Sequence, residues 1–241
     1  MGYFERVCDC NFLRSPMAHR MDKAVLVPHP CSMTTDTIPS IAGVILAGGL
    51  ATRMGGRDKA LLPLGNTTLL DLVISRLAPQ CGKIAINANG DISRFSTFGL
   101  PVIADSLDGH LGPLAGILAG MNWGSSIGAD AIVTVATDTP FVPSDLIERL
   151  VEASHRDSAS IVLAASPDAQ GIMRTHPTFG LWPVNLRKDL HGAVNSGMRK
   201  VGQWAHGHGA SIAEFDSKPF DPFININTPE DLAAARVLAG Q

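Results

Sequence analysis

From residue 41 onward the chain alternates short apolar runs with segments of helical periodicity. The runs 41–47, 83–89, 101–104, 131–136 and 160–165 predict strands, and the amphipathic segments 69–78, 112–123 and 143–153 between them predict helices. Near-continuous apolar strands separated by helices predict a parallel sheet covered on both faces, because a strand buried on both sides has no polar face to alternate. Crossovers in such a sheet are right-handed, and ligands bind beyond the carboxyl ends of the strands. After residue 165 the pattern loosens. Residues 171–174 and 177–182 predict a hairpin, 184–191 and 194–204 predict helices, and 211–215 and 223–226 predict short strands. Residues 231–238 predict a last helix. Thr228 is its expected N-cap, Pro229 takes the first helical position, and Asp231 completes a box-like capping pair.

The first 38 residues differ. Pro16, Pro28 and Pro30 interrupt any period, and charges of both signs are interspersed. They predict a disordered N-terminal extension, with residues 39–241 forming a single domain. Every recognisable element follows Ser40, which raises the expectation that translation starts at Met33 or Met21.

Composition narrows the function. An apolar fraction of 45% over 241 residues suits a globular domain with a full core. Aromatics make up 5%, with a single tyrosine, Tyr3, which is poor material for stacking bases of single-stranded nucleic acid. A net charge of −3 gives no electrostatic footprint for nucleic acid or a membrane surface. No run reaches the roughly 18 apolar residues of a membrane span, and the N-terminus lacks the apolar core of a signal peptide. Cys8 and Cys10 are spaced C-x-C rather than C-x2-C, so Cys8, Cys10, Cys31 and Cys81 read as reduced thiols of a cytoplasmic protein.

The strongest chemical signal is the segment Leu46-Ala47-Gly48-Gly49-Leu50-Ala51-Thr52-Arg53-Met54-Gly55-Gly56-Arg57-Asp58-Lys59, directly after the first strand. Its glycine pairs permit positive φ and let backbone amides approach a ligand closely. Consecutive amides form an anion-binding concavity, to which Arg53 adds a planar fork and Lys59 a point charge. Neither G-x-x-x-x-G-K-[ST] nor G-x-G-x-x-G is present, which removes the common nucleoside triphosphatase loop and the dinucleotide fingerprint of dehydrogenases. Read alone, the segment is also compatible with a long glycine turn carrying surface cations.

This segment resembles the signature of nucleotidyltransferases with a glycosyltransferase-A-like fold. Gly55-Gly56 followed by Asp58-Lys59 is similar, more narrowly, to the molybdenum cofactor guanylyltransferases, the MobA type. The resemblance covers about residues 41–238 and implies a three-layer α/β/α, Rossmann-like nucleotidyltransferase fold with a mostly parallel central sheet. It implies GTP and the molybdopterin cofactor as partners, Mg²⁺ as cofactor, and release of pyrophosphate. Molybdoenzyme chaperones are a further expected partner class, and a monomer is the expected state.

Other motifs carry the resemblance along the chain. Asn87 ends the second predicted strand and Asp105 follows the third; the resemblance places both at the guanine nucleotide, with Leu46, Ala47, Gly48, Gly49, Lys59 and Asp138. By position alone Asn87 serves equally well as a turn residue, and Asp108 competes with Asp105. Gly112-Pro113-Leu114-Ala115-Gly116 opens a helix whose first amides are free. Asp138, in Asp138-Thr139-Pro140, is similar to the family's metal motif and is the expected Mg²⁺ ligand, although a carboxylate at a strand end is also a common loop feature. His176, Asn225 and Asn227 are assigned by resemblance to the acceptor side. Asn225 and Asn227 alternate with Ile226 and are expected on one face of a strand. Arg199 and Lys200 are compatible with either an acceptor contact or a solvated pair. Lys59, Arg53 and Asp138 are the expected catalytic set. His176 is not expected to act as a base, because an attacking phosphate is already ionised at neutral pH. The rivals are a cytidylyltransferase acting on the same cofactor, a sugar-phosphate nucleotidyltransferase, and a non-catalytic nucleotide-binding carrier.

Overall fold

A computed structural model of the chain describes residues 39–48, 50–51, 57–107, 109 and 111–240. The expected N-terminal extension, with Met21 and Met33, lies outside the described residues, as do Gly49, Arg53 and Asp108.

In chain order the strands and helices are β1 (Ile41–Leu46), β2 (Leu50–Ala51), β3 (Arg57–Asp58), β4 (Pro63–Leu64), β5 (Thr67–Thr68), α1 (Leu69–Leu77), β6 (Ile84–Asn87), β7 (Val102–Ile103), α2 (Pro113–Ser126), β8 (Ala131–Ala136), α3 (Leu146–Asp157), β9 (Val162–Pro167), β10 (Met173–Pro183), α4 (Arg187–Asn195), α5 (Val201–Gly207), β11 (Ser211–Glu214) and α6 (Pro229–Leu238). Among the described residues, a seven-stranded sheet runs in the order β11-β9-β10-β8-β1-β6-β7. Its neighbours pair in parallel, except that β10 lies antiparallel to β8 and β9.

The period-2 alternation of β8 builds the two core layers. Val133 and Val135 pack with Leu70 and Val73 of α1 and with Leu146 and Leu150 of α3. Ile132 packs on the opposite face with Ile117 and Met121 of α2, Leu190 of α4 and Trp204 of α5. Burying a Val- or Leu-sized side chain contributes about 1.5–3 kcal/mol, so these two layers dominate the stability of the fold. Gly120 lets α2 approach closely: a Cβ there would lie 2.8 Å from Ile132 Cδ1 and 3.0 Å from Val44 Cγ2. The helix therefore sits where an alanine would collide with the sheet. In a third cluster Leu62, Leu64, Leu69, Phe141, Ile226, Leu232 and Ala235 pack together.

Three expected elements differ. The hairpin predicted over 171–182 is instead the single strand β10, and the reversal comes earlier, where Asp168 N–H donates to the Ile172 carbonyl at 2.9 Å. Pro177 supplies no N–H and resembles a chain break in the sequence. The sheet accommodates it in a register shift between His176 and Gly180. The strand predicted over 223–226 is not formed; its Ile226 N–H donates to the Asp138 carbonyl at 2.7 Å rather than to a ladder. The helix predicted over 194–204 is interrupted at Gly197, whose φ is +96°. Arg199 Nη1 donates to the carbonyls of Val194, in the last turn of α4, and of Met198, both at 2.7 Å. Helix α6 has the expected reciprocal box, with Asp231 N–H donating to Thr228 Oγ1 at 3.1 Å and Thr228 N–H to Asp231 Oδ2 at 2.9 Å. Cys81, the cysteine among the described residues, is a free thiol pushed up to about 11 by burial.

Candidate active site

The carboxyl ends of β8, β1, β6 and β7 lie side by side, because these strands are parallel neighbours in the sheet. Two polar groups form there. The first joins β6 to β7, whose registers place Asn87 beside Ile103. Asn87 Nδ2 donates to the Ile103 carbonyl at 3.2 Å and to Asp105 Oδ1 at 2.9 Å. Asn89 closes on the same aspartate twice: its Nδ2 donates to Asp105 Oδ2 at 2.8 Å, and its Oδ1 accepts from Asp105 N–H at 2.9 Å. Asn87 is 4% exposed and so lies beneath this group rather than on it. Gly116 makes room for it, since a Cβ at that position would lie 2.3 Å from Asn87 Oδ1.

The second group is built around a charge. Lys59 lies on a single 3₁₀ turn, Lys59–Leu61, capped by Asp58 Oδ1, which accepts from Ala60 N–H at 3.1 Å. Its ammonium donates to Asp138 Oδ2 at 2.9 Å and to Asn227 Oδ1 at 2.6 Å. Thr139 Oγ1 donates to Asn225 Oδ1 at 2.9 Å and contacts Asp138 Oδ1 at 3.3 Å. Residues 59, 138, 225 and 227 thus converge from three distant parts of the chain. The side chains of Lys59 and Asp138 are 14% and 30% exposed, so the pair is shielded without being sealed. An ammonium has three donors, and two are accounted for here, which leaves one to direct at a ligand.

The backbone expected at the nucleotide is partly engaged. Ala47 N–H donates to the Asn87 carbonyl at 2.8 Å, and the Leu46 carbonyl accepts from Thr137 N–H at 3.2 Å and Oγ1 at 3.3 Å. Gly48 is exposed.

His176 belongs to a third group, on β10. Ser166 Oγ donates to Asp221 Oδ1 at 3.0 Å and lies 2.8 Å from His176 Nε2. A hydroxyl has one proton; with that proton on the carboxylate, Nε2 must be the donor to Ser166, which leaves Nδ1 unprotonated in the neutral ring. The imidazole stacks on Phe223, with centroids 4.3 Å apart. Burial holds His176 below the usual histidine range, while the Asp221 carboxylate acts in the opposite direction.

Several residues of these groups carry no signal of their own in the sequence. Ser166 and Asp221 are 55 positions apart; Ser166 lies on β9 and Asp221 in the segment between β11 and α6, so only the folded chain brings them together. Arg94, which donates to Asp58 and to the Asn89 carbonyl, lies in a 3₁₀ stretch with no recognisable motif. Asn89 is the exception, since its position two residues beyond Asn87 at a strand end already marks it. Among the described residues, no cluster of three or more His, Cys, Asp or Glu could hold a metal by itself, and no helix is long and apolar enough to cross a membrane.

Residues 43–210 match the MobA-like NTP transferase domain. The chain is 49% identical over 204 residues to the molybdenum cofactor guanylyltransferase of Mesorhizobium japonicum, covering 82% of this chain and 96% of that one. It is 48% identical over 204 residues to the enzyme of the same name from Rhodopseudomonas palustris strain BisB5, covering 83% and 95%. The solved structure of molybdopterin-guanine dinucleotide biosynthesis protein A from Archaeoglobus fulgidus superposes with a TM-score of 0.64 at 21% identity, covering 83% of this chain and 98% of that one. CMP:2-keto-3-deoxy-manno-octonic acid synthetase, solved with CTP, superposes with a TM-score of 0.66 at 12% identity, covering 84% and 99%. The last two show the nucleotidyltransferase fold. The sequence identity to the curated relatives, extending over nearly their whole length, carries the closer assignment: this chain belongs to the molybdenum cofactor guanylyltransferases of the MobA-like NTP transferase family.

Proposed function

We propose that the chain transfers GMP from GTP to the terminal phosphate of the molybdopterin cofactor, forming the guanine dinucleotide and releasing pyrophosphate. The observation that carries this reading is the Lys59 ammonium held between Asp138 and Asn227 at the end of the glycine segment. A cation fixed there, with a donor to spare, suits the charge that builds on the transferring and leaving phosphates.

The acceptor phosphate attacks the α-phosphorus in line, and the bond to pyrophosphate breaks. The attacking oxygen is already ionised, so the protein's task is positioning and charge stabilisation. Lys59 stabilises the phosphates, assisted by Arg53 and the amides of Gly48 and Gly49. Asp105 and Asn87 hold the guanosine end. With the Leu46 carbonyl and Ala47 amide already bonded, the backbone share of base recognition falls to the Ala47 carbonyl and to Gly48. A keto-amide edge satisfies such groups, while an adenine edge leaves them unpaired. Asn225, Asn227 and His176 line the acceptor side, with the unprotonated Nδ1 of His176 as an acceptor.

Asp138 is the residue that would hold Mg²⁺. A partly exposed single carboxylate fits an ion that keeps several waters and takes its other ligands from phosphate oxygens. When bound, that ion neutralises triphosphate charge. With Asp138 holding the ion, Lys59 would keep Asn227 as a partner and would turn its remaining donors to the phosphates.

The test is calorimetric titration with GTP, CTP and ATP in the presence of Mg²⁺, followed by pyrophosphate release with the molybdenum cofactor as acceptor. Selective GTP binding and cofactor-dependent pyrophosphate release are expected. A preference for CTP would move the chain to cytidylyl transfer. GTP binding without pyrophosphate release would make it a carrier.

A further inference from the structure

Arg94 bonds to both polar groups of the site. Its Nε donates to Asp58 Oδ2 at 2.5 Å, its Nη2 to the Asn89 carbonyl at 2.9 Å, and its Nη1 to the Asp91 carbonyl. The guanidinium lies over the buried Phe95 ring, 4.5 Å from its centroid. Its fork is thus held by three oxygens, and its plane by an aromatic face. On one side, Asn89 grips Asp105 through two hydrogen bonds. On the other, Asp58 presents its second oxygen to Ala60 N–H and so caps the turn that carries Lys59. The connection runs from Asp105 through Asn89, Arg94 and Asp58 to Lys59. The Arg94 and Asp58 side chains are 26% and 18% exposed, so this link is not a loose surface pair.

The Lys59 turn needs such a link. A single 3₁₀ turn of three residues has almost no stability of its own, and the β2–β3 ladder before it pairs two residues on each strand. Its position must come from tertiary contacts. We infer that Arg94 is a positioning residue for nucleotidyl transfer: through Asp58 it holds Lys59 at a fixed distance from the Asn87–Asn89–Asp105 group, so that lysine and nucleotide are aligned before the acceptor arrives. The inference rests on the assignment of Lys59 to the transferring phosphates. Lysine at position 94 would keep the charge but lose the planar fork, because an ammonium is a point charge on a flexible stem.

The experiment compares initial rates of GMP transfer for the full chain and for Arg94→Ala, Arg94→Lys, Asp58→Asn, the Arg94→Ala/Asp58→Asn double variant and Lys59→Ala. Asp58→Asn keeps a cap oxygen and removes the charge that Arg94 grips. A misplacement of about 1 Å can cost about 100-fold, so Arg94→Ala is expected to lower kcat by about 10- to 100-fold. KM for GTP should stay within about threefold, the pattern of an interaction made only in the transition state. Arg94→Lys should recover part of the loss. The double variant should be no slower than the slower single variant, because both substitutions cut the same link. Near-normal kcat in Arg94→Ala beside an inactive Lys59→Ala overturns this inference alone, as do independent, multiplying losses in the double variant. Near-normal turnover in Lys59→Ala overturns the lysine assignment on which the inference rests. If Arg94→Ala does not fold, Arg94→Lys and Asp58→Asn decide: a kcat loss at unchanged melting temperature supports the link, and retained kcat overturns it.

Discussion

The two polar groups at the carboxyl end of the sheet are assembled in different ways. The Asn87–Asn89–Asp105 group spans residues 16 to 18 positions apart and is fixed by the pairing of β6 with β7. Both oxygens of its carboxylate are bonded by asparagine amides within the group. The Lys59–Asp138–Asn227 group spans 79 and 168 positions and is held by one ammonium. The first is a pre-formed floor whose geometry comes with the sheet. The second is a meeting of charges whose geometry depends on packing elsewhere, chiefly on Ile226, fully buried between the exposed Asn225 and Asn227. Hydrogen bonds satisfied within the group suit a residue that binds, while an ammonium with a spare donor suits one that meets changing charge.

If the charged group carries the chemistry, its removal has the largest effect. Lys59→Ala and Asp138→Ala are each expected to lower kcat by about 10²–10³-fold with the fold intact, the range for losing one donor aimed at developing charge. Steady-state rates together with circular dichroism check this. Near-normal turnover in either variant would erase the distinction between the groups. Asp105→Ala should act on binding instead. Losing hydrogen bonds to a charged group costs about 1.5–3 kcal/mol, so GTP affinity should weaken by about 10- to 100-fold, read by calorimetry. Ile226→Ala probes the dependence of the second group on distant packing. It should cost about 2–5 kcal/mol of stability by chemical denaturation. It should also lower kcat by less than Lys59→Ala, with GTP affinity unchanged, because the floor does not rest on the third cluster.

The smallest effect concerns pH. The folded-state pKa of His176 lies below its unfolded value, so the unfolded chain takes up the proton first as pH falls. Stability is therefore full above the unfolded histidine pKa of about 6.5 and declines as pH drops from there towards the folded value. His176→Gln should flatten that slope in melting temperatures measured across this window. An unchanged slope would place the titration on another group.

Much of the sheet could be read from the sequence because a strand buried on both faces leaves a short apolar run rich in β-branched residues. Residues 131–136 are such a run and coincide with β8. The glycine segment and Asp138 could be placed at the ligand end because they directly follow strands. Asn225 and Asn227 were legible as a pair through their alternation with Ile226, yet the strand expected to hold them is absent. The hydrogen bond from Ile226 N–H to the Asp138 carbonyl and the burial of Ile226 do that work. Neither contact has a local signature. His176 stood out as a residue, but its partners Ser166 and Asp221 did not, because a serine in an apolar strand and an aspartate in a loop look ordinary until the chain folds.

By itself, the sequence determined the order of the sheet strands and covering helices up to residue 165, the capped last helix and the family, since each of these is written in residues close together along the chain. The tertiary structure alone decided that β10 runs antiparallel through a proline, that Arg94 joins the two halves of the site, and that Lys59 finds both Asp138 and Asn227. The physical reason is the same in each case. These outcomes depend on contacts between residues far apart in the chain, and their energies exist only once the core has packed.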